Sequence, residues 1–110
     1  MKFTDFSSFF AQVKALKSLA NKDLGQNFLI NPELSHRIVE LLTIQEDEKV
    51  LEIGAGFGSL SYFLVQSKGI VNLLDVDPKT ISFLSEQFGG QSNIQITQES
   101  ILKHDVSLYD

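Results

Sequence analysis

The residues of this chain best suited to chemistry lie between Val50 and Leu60, in the stretch VLEIGAGFGSL. Glycine takes three alternate positions there, Gly54, Gly56 and Gly58, directly after a short apolar run. Glycine at that density marks a backbone that bends sharply or lets another group come very close. The approaching group could be a phosphate, another chain segment, or a cofactor with no phosphate. Asp75 follows Gly54 by 21 positions, near the end of a second apolar run, IVNLLDV. An acid at that spacing can accept both hydroxyl hydrogens of a ribose. Strand, glycine loop, helix, strand, acid is the order of the nucleotide-binding half of a Rossmann-type fold.

Two ligands compete for such a site. A dinucleotide calls for G-x-G-x-x-G, with its pyrophosphate seated on the helix N-terminus. Here Gly58 falls one residue early and Ser59 takes the expected glycine position. Glu52 is the stronger discriminator, standing two residues before Gly54. A like-charge pair with a pyrophosphate costs on the order of a few kcal/mol even at a surface-like dielectric. S-adenosylmethionine inverts that argument, because it lacks phosphate and carries a cationic amine and sulfonium. The residues favour S-adenosylmethionine over a dinucleotide. A P-loop is excluded, since no G-K-[ST] follows the glycines. A glycine-rich turn can also serve only tight helix–strand packing. Asp77, directly before Pro78, reads as a helix N-cap rather than a ligand.

Several elements must position these groups. Phe6, Phe9, Phe10, Val13, Leu16, Leu19 and Ala20 recur at helical spacing, so a helix is expected from about residue 4 to 20. Asn31–Pro32 opens a second helix, with Leu34, Ile38, Leu41 and Leu42 as its buried stripe. Gln45 to Lys49 reads as a turn. Val50, Leu51 and Ile53 form a short strand, followed by the loop and a helix from about 57 to 66, closed by Gly69. Ile70 to Val76 is a second strand, apolar enough to be parallel and covered on both faces. A helix from Pro78 carries Ile81, Leu84 and Phe88 on one face and stops at Gly89–Gly90. A third strand runs from Asn93 to Thr97. The expected architecture is α/β, a doubly wound parallel sheet whose strand ends bring Gly54, Asp75 and residues 97–100 to one edge. The Phe residues and Tyr62 belong to its core rather than to a stacking surface. His36 and His104 show no partner in the sequence and read as helix-surface and loop residues.

Composition narrows the function classes. A chain of 110 residues that is 43% hydrophobic, with nine Phe, can bury one domain's core. No apolar run suits a membrane span, so no membrane role is expected. The absence of Cys removes disulfides and thiolate metal sites and fits a reducing, cytoplasmic setting. No metal is expected. The net charge of −5 argues against the whole chain acting as a nucleic-acid clamp. Lys2, Lys14, Lys17 and Lys22 against Asp5 and Asp23 nevertheless make residues 1–24 basic, a hint of an anionic partner at that end.

The stretch NKDLGQNFLI upstream is sharper than the loop. Leu24-Gly25-Gln26-Asn27-Phe28-Leu29, followed some two dozen residues later by VLEIGAGFGSLS, resembles the ribosomal RNA adenine dimethyltransferases, the KsgA-like family. The resemblance runs from about Lys22 to Asp105. It implies a Rossmann-like class I S-adenosylmethionine-dependent methyltransferase fold, incomplete here, with roughly three of an expected seven strands. On that reading, residues 1–110 are the N-terminal part of one methyltransferase domain, divided into a helical arm, 1–45, and a cofactor-binding part, 46–110. The resemblance implies that Asn27 and Leu29 contact the cofactor, that Gly54 is the loop position of closest approach, and that Asp75 is the ribose acid. The family usually has Glu at Asp75, Pro at Ala55 and Thr at Ser61. It normally places Asp at Ser100, accepting from the exocyclic amine of the cofactor's adenine; Ser is neutral and shorter, and Glu99 stands beside it. The implied activity is dimethylation of adenine N6 in small-subunit ribosomal RNA during ribosome biogenesis, by a monomer whose partner is that RNA or the small-subunit precursor. The family's Asn-x-Pro-aromatic motif is absent, since no Asn is followed two residues later by Pro. A truncated, cofactor-binding chain that is inactive alone is therefore expected; a non-catalytic RNA- or ribosome-binding module that keeps the fold is the alternative.

Overall fold

A computed structural model describes residues 32–109. The expected helix at 4–20, the basic arm, Asn27 and Leu29 lie outside the described residues. Within them the order is α1 (Pro32–Leu42), β1 (Lys49–Ile53), α2 (Ser61–Leu64), β2 (Ile70–Asp75), α3 (Pro78–Phe88) and β3 (Ile94–Gln98). Two 3-10 turns follow, at Ile101–Lys103 and Val106–Tyr109. The strands form one parallel sheet in the order β1-β2-β3, with Leu51 opposite Asn72 and Leu73 opposite Ile96. The expected β-α-β-α-β succession is present.

Alternation along parallel strands sorts side chains onto two faces. Val50, Val71, Leu73, Ile94 and Ile96 share the face that packs under α2 and α3. Val71, Leu73, Leu84 and Phe88 are fully buried there, and Phe57 meets Phe83 edge-on at 5.5 Å. Tyr62 joins this core, as expected. The opposite face carries Leu51, Asn72, Leu74 and Thr97, and the chain after β3 folds back over part of it, since Tyr109 hydrogen-bonds Asn72.

α3 is defined at both ends. Asp77 accepts the N–H of Lys79 at 3.0 Å, so it is the cap its position before Pro78 implied. Gly89 donates back to Ser85, and Gly90 turns away with φ +90°.

Three expectations need correction. The helix after the loop is a single turn, Ser61–Leu64, not 57–66. Left-handed glycines persist to Gly58 (φ +87°), so the backbone is still in the loop where the helix was expected to start. Gly69 does not cap that helix. A Cβ there would lie 2.5 Å from the Ile44 side chain and 3.0 Å from the Glu48 carbonyl, so glycine lets the approach to β2 press against the approach to β1. Finally, α1 does not bury Leu34, Leu41 and Leu42, which are 45%, 76% and 53% exposed. It turns Ser35 and, in part, Ile38 and Val39 inward, about one residue around the helix, and His36 stacks on Phe63 of the short α2. Thr43, at φ +51°, ends α1.

Candidate cofactor-binding site

The loop after β1 is held by its own hydrogen bonds. Gly54, Gly56 and Gly58 have φ of +69°, +59° and +87°, values at which a Cβ strains the backbone. The N–H groups of Gly54 and Ala55 donate to the Leu74 carbonyl at 2.8 and 3.1 Å, and that of Gly58 donates to Ala55 at 3.1 Å. The N–H of Gly56 donates to Oδ2 of Asp75 at 2.8 Å. Four amides that a phosphate cradle would present to its ligand are thus spent internally. Among the described residues, a Cβ added at Gly54 or Gly56 would meet nothing within 4 Å, so these residues leave open space in front of the loop.

Asp75 ends β2 and is 8% exposed. Its Oδ1 accepts the N–H of Asp77 at 2.9 Å, and Oδ2 holds Gly56. Each carboxylate oxygen can accept about two hydrogens and takes one from the described residues, which leaves one position on each among them for a diol. Glu99, just past β3, donates its N–H to the Asp75 carbonyl at 3.0 Å. Gly54, Asp75 and Ser100 therefore share the C-terminal edge of the sheet, as the topology required.

Glu52 behaves differently from the simple charge argument. Its carboxyl is 9% exposed and accepts the Ser61 hydroxyl at 2.5 Å, tying β1 to the first turn of α2. Burial pushes its pKa up from 4.5 to about 7; the Ser61 hydrogen bond opposes the rise and the charge of Asp75 adds to it. Glu52, Gly54, Ala55, Phe57 and Ser59 line a cleft of about 380 Å³ beside β1. Ser61 was not visible as a partner of Glu52 in the sequence; their nine-residue spacing crosses an irregular loop with no periodicity to read.

His104 also needs correction, because it has two partners. Its Nδ1 lies 2.8 Å from Oε1 of Glu99, and its Nε2 lies 3.1 Å from the Tyr109 hydroxyl. His36 stays on the helix surface, 60% exposed, stacked on Phe63 at 5.1 Å. Ser100 caps the first 3-10 turn, its Oγ accepting the N–H of Leu102 at 3.2 Å. Among the described residues no cluster of His, Cys, Asp and Glu could hold a metal ion, and no helix is long and apolar enough to cross a membrane.

Comparison with known proteins bears on the same residues. Residues 17–110 match the model of the family described as ribosomal RNA adenine dimethylase. The ribosomal RNA small subunit methyltransferase A of Malacoplasma penetrans is 32% identical over 99 residues, which is 90% of this chain and 35% of that protein. Its counterpart in Anoxybacillus flavithermus is 39% identical over 85 residues, covering 77% and 29%. The chain thus spans about a third of the length of such relatives. Among solved structures, the 23S rRNA methyltransferase ErmE superposes with a TM-score of 0.65 at 30% identity, over 72% of this chain and 32% of that one. Coclaurine N-methyltransferase, solved with N-methylheliamine and SAH, gives 0.52 at 19% identity over 64% and 23%, a likeness of fold alone. The chain belongs to the ribosomal RNA adenine dimethylase family, and its β1–β3 sheet is part of that family's class I methyltransferase fold.

Proposed function

We propose that this chain is the cofactor-binding portion of an S-adenosylmethionine-dependent enzyme that dimethylates adenine N6 in small-subunit ribosomal RNA, in ribosome biogenesis. The observation that carries the reading is the glycine loop, with Gly54, Ala55, Gly56 and Gly58 donating inward and open space before Gly54 and Gly56. A loop that keeps its amides for itself offers little to a phosphate. With Asp75 beside it, the loop favours a cationic, phosphate-free ligand. The remaining acceptor positions of Asp75 suit the two ribose hydroxyls. When bound, the cofactor supplies an activated methyl group. The protein's part is to hold it: Asp75 orients the sugar, and the loop backbone fixes the distance of approach. Family membership supports RNA as the partner, since the small subunit methyltransferase A relatives and ErmE are named for ribosomal RNA. The chain alone is expected to bind cofactor without transferring methyl, since it has no Asn-x-Pro sequence of the kind that holds the target base.

Calorimetric titration of the 110-residue chain tests this directly. S-adenosylmethionine should bind, NAD should not, and Asp75→Ala should weaken binding by about tenfold or more. Binding of NAD in preference would overturn the cofactor assignment. Transfer of a labelled methyl group to small-subunit RNA by the chain alone would overturn the expectation of binding without transfer.

A further inference from the structure

Among the described residues that line the cleft beside β1, Glu52 is the one ionisable side chain. Ser59 is the other polar one, and the remainder of the wall is aliphatic, aromatic or glycine. Among the described residues the Glu52 carboxyl has one hydrogen-bond partner, the Ser61 hydroxyl. A carboxylate can accept about four hydrogens, so an ionised Glu52 is poorly solvated in this wall. Burial opposes its ionisation, the Ser61 hydroxyl of α2 favours it, and the charge of Asp75, the acid at the end of β2, opposes it again. The rest of the wall, including Leu42 at the end of α1, offers no positive charge. Gly54 and Ala55 belong to the same wall, and the next residue of their loop, Gly56, donates to Asp75. A ligand held by Asp75 that also reaches the cleft therefore crosses the glycine loop.

We infer that Glu52 couples ligand binding in this cleft to proton release: a cationic group entering beside it drives the carboxyl to ionise and sends its proton to solvent. This rests on the reading of the site as an S-adenosylmethionine pocket. The only bond broken is the O–H of the Glu52 carboxyl, and the ligand itself is unaltered. A cation supplies the charge that the wall lacks, so it stabilises the ionised form of its neighbour. By linkage the ionised protein then binds the cation more tightly, and the affinity for it rises with pH. With Glu52 half-ionised near pH 7, the ionised fraction grows about tenfold between pH 6 and 8, and the apparent affinity grows with it. A ligand without positive charge favours neither form and shows no such dependence.

The test is calorimetric titration of the full chain in pairs of buffers with different heats of protonation, which counts the protons released on binding. S-adenosylmethionine carries an amine and a sulfonium, S-adenosyl-L-homocysteine keeps the amine alone, and 5′-methylthioadenosine has neither. At pH 7 the wild type should release about half a proton more than Glu52→Gln on binding S-adenosylmethionine. Protons lost by the ligand's own amine are common to both proteins and cancel. 5′-Methylthioadenosine should give no difference between them. S-adenosyl-L-homocysteine behaving like S-adenosylmethionine would assign the effect to the amine, and behaving like 5′-methylthioadenosine would assign it to the sulfonium; either supports the coupling. Ser61→Ala, by removing the bond that favours ionisation, should move the rise in S-adenosylmethionine affinity to higher pH, a shift that a general loss of stability does not produce. That shift tests the coupling even where Glu52→Gln fails to fold, and an unmoved midpoint would overturn it. Equal proton release from wild type and Glu52→Gln with S-adenosylmethionine would overturn the coupling while leaving the cofactor assignment standing. So would an equal, Glu52-dependent release with 5′-methylthioadenosine, because occupancy rather than charge would then expel the proton. Failure of all three ligands to bind at any pH would overturn the cofactor reading and this inference together.

Discussion

Glu52 shows how far one residue's role depends on burial. Its carboxyl holds a proton to about pH 7 in the folded chain and releases it near 4.5 when unfolded. Between those values the folded state binds more protons, so this group's contribution to stability is full below about 4.5, declines as pH rises, and is gone above about 7. The span amounts to about 3 kcal/mol for so buried a group. Glu52→Gln keeps the shape and removes the titration. Thermal melts from pH 5 to 8 should show the wild type losing stability relative to Glu52→Gln as pH rises; parallel curves would refute the assignment. Gly56 makes a second prediction at this scale. With φ at +59° and open space beyond, Gly56→Ala should cost about 1–2 kcal/mol through backbone strain alone. Gly56→Asn should cost less, because Asn tolerates the left-handed region, and chemical denaturation of the two variants decides it.

At the scale of elements, legibility followed local chemistry. The α3 boundaries were readable because Asp77–Pro78 and Gly89–Gly90 act through the backbone next to them. β1 and β2 were readable from short apolar runs between turn residues. The length of α2 was not, because the apolar residues Phe57, Leu60, Phe63 and Leu64 fit a helix while the glycine backbone forbids one before Ser61. The inward face of α1 is not the leucine stripe that hydrophobic periodicity picks out: Ser35 is fully buried while Leu41 is 76% exposed. Gly54, Asp75 and Ser100 could be placed at one sheet edge from topology; the bonds of Gly56 to Asp75 and of Ser61 to Glu52 could not, since both join residues across the loop. Gly69 gives this scale its prediction. Gly69→Ala must displace the Ile44 side chain and crowd the Glu48 carbonyl, at about 1–3 kcal/mol. In a double-mutant cycle with Ile44→Ala the two costs should fall short of additivity, since removing the Ile44 Cγ2 atom relieves part of the clash. Strict additivity would mean the backbone contact alone sets the cost.

Across the whole molecule, the two sheet faces are secured by different physics. One face is closed by apolar packing against α2 and α3. The other is crossed by a run of polar contacts joining residues far apart in sequence. Thr97 donates to Oδ1 of Asn72 at 2.9 Å, Asn72 donates to Tyr109, and Tyr109 meets His104, which meets Glu99. Asn72 is 5% exposed in the central strand, so its amide depends on Tyr109 for a partner that water cannot easily replace. Tyr109→Phe keeps the ring and removes that acceptor, and should cost about 1–3 kcal/mol in urea denaturation. If the loss comes from the stranded amide, Asn72→Leu should make Tyr109→Phe nearly free, because no buried donor is then left waiting. Hydrogen exchange adds the spatial test: Tyr109→Phe should lower amide protection first in residues 101–109, with α3 and the glycine loop opening only in global unfolding. Equal losses of protection across the sheet would show instead that the turns after β3 and the sheet form one cooperative unit, with Tyr109 as much a part of the core as Phe88.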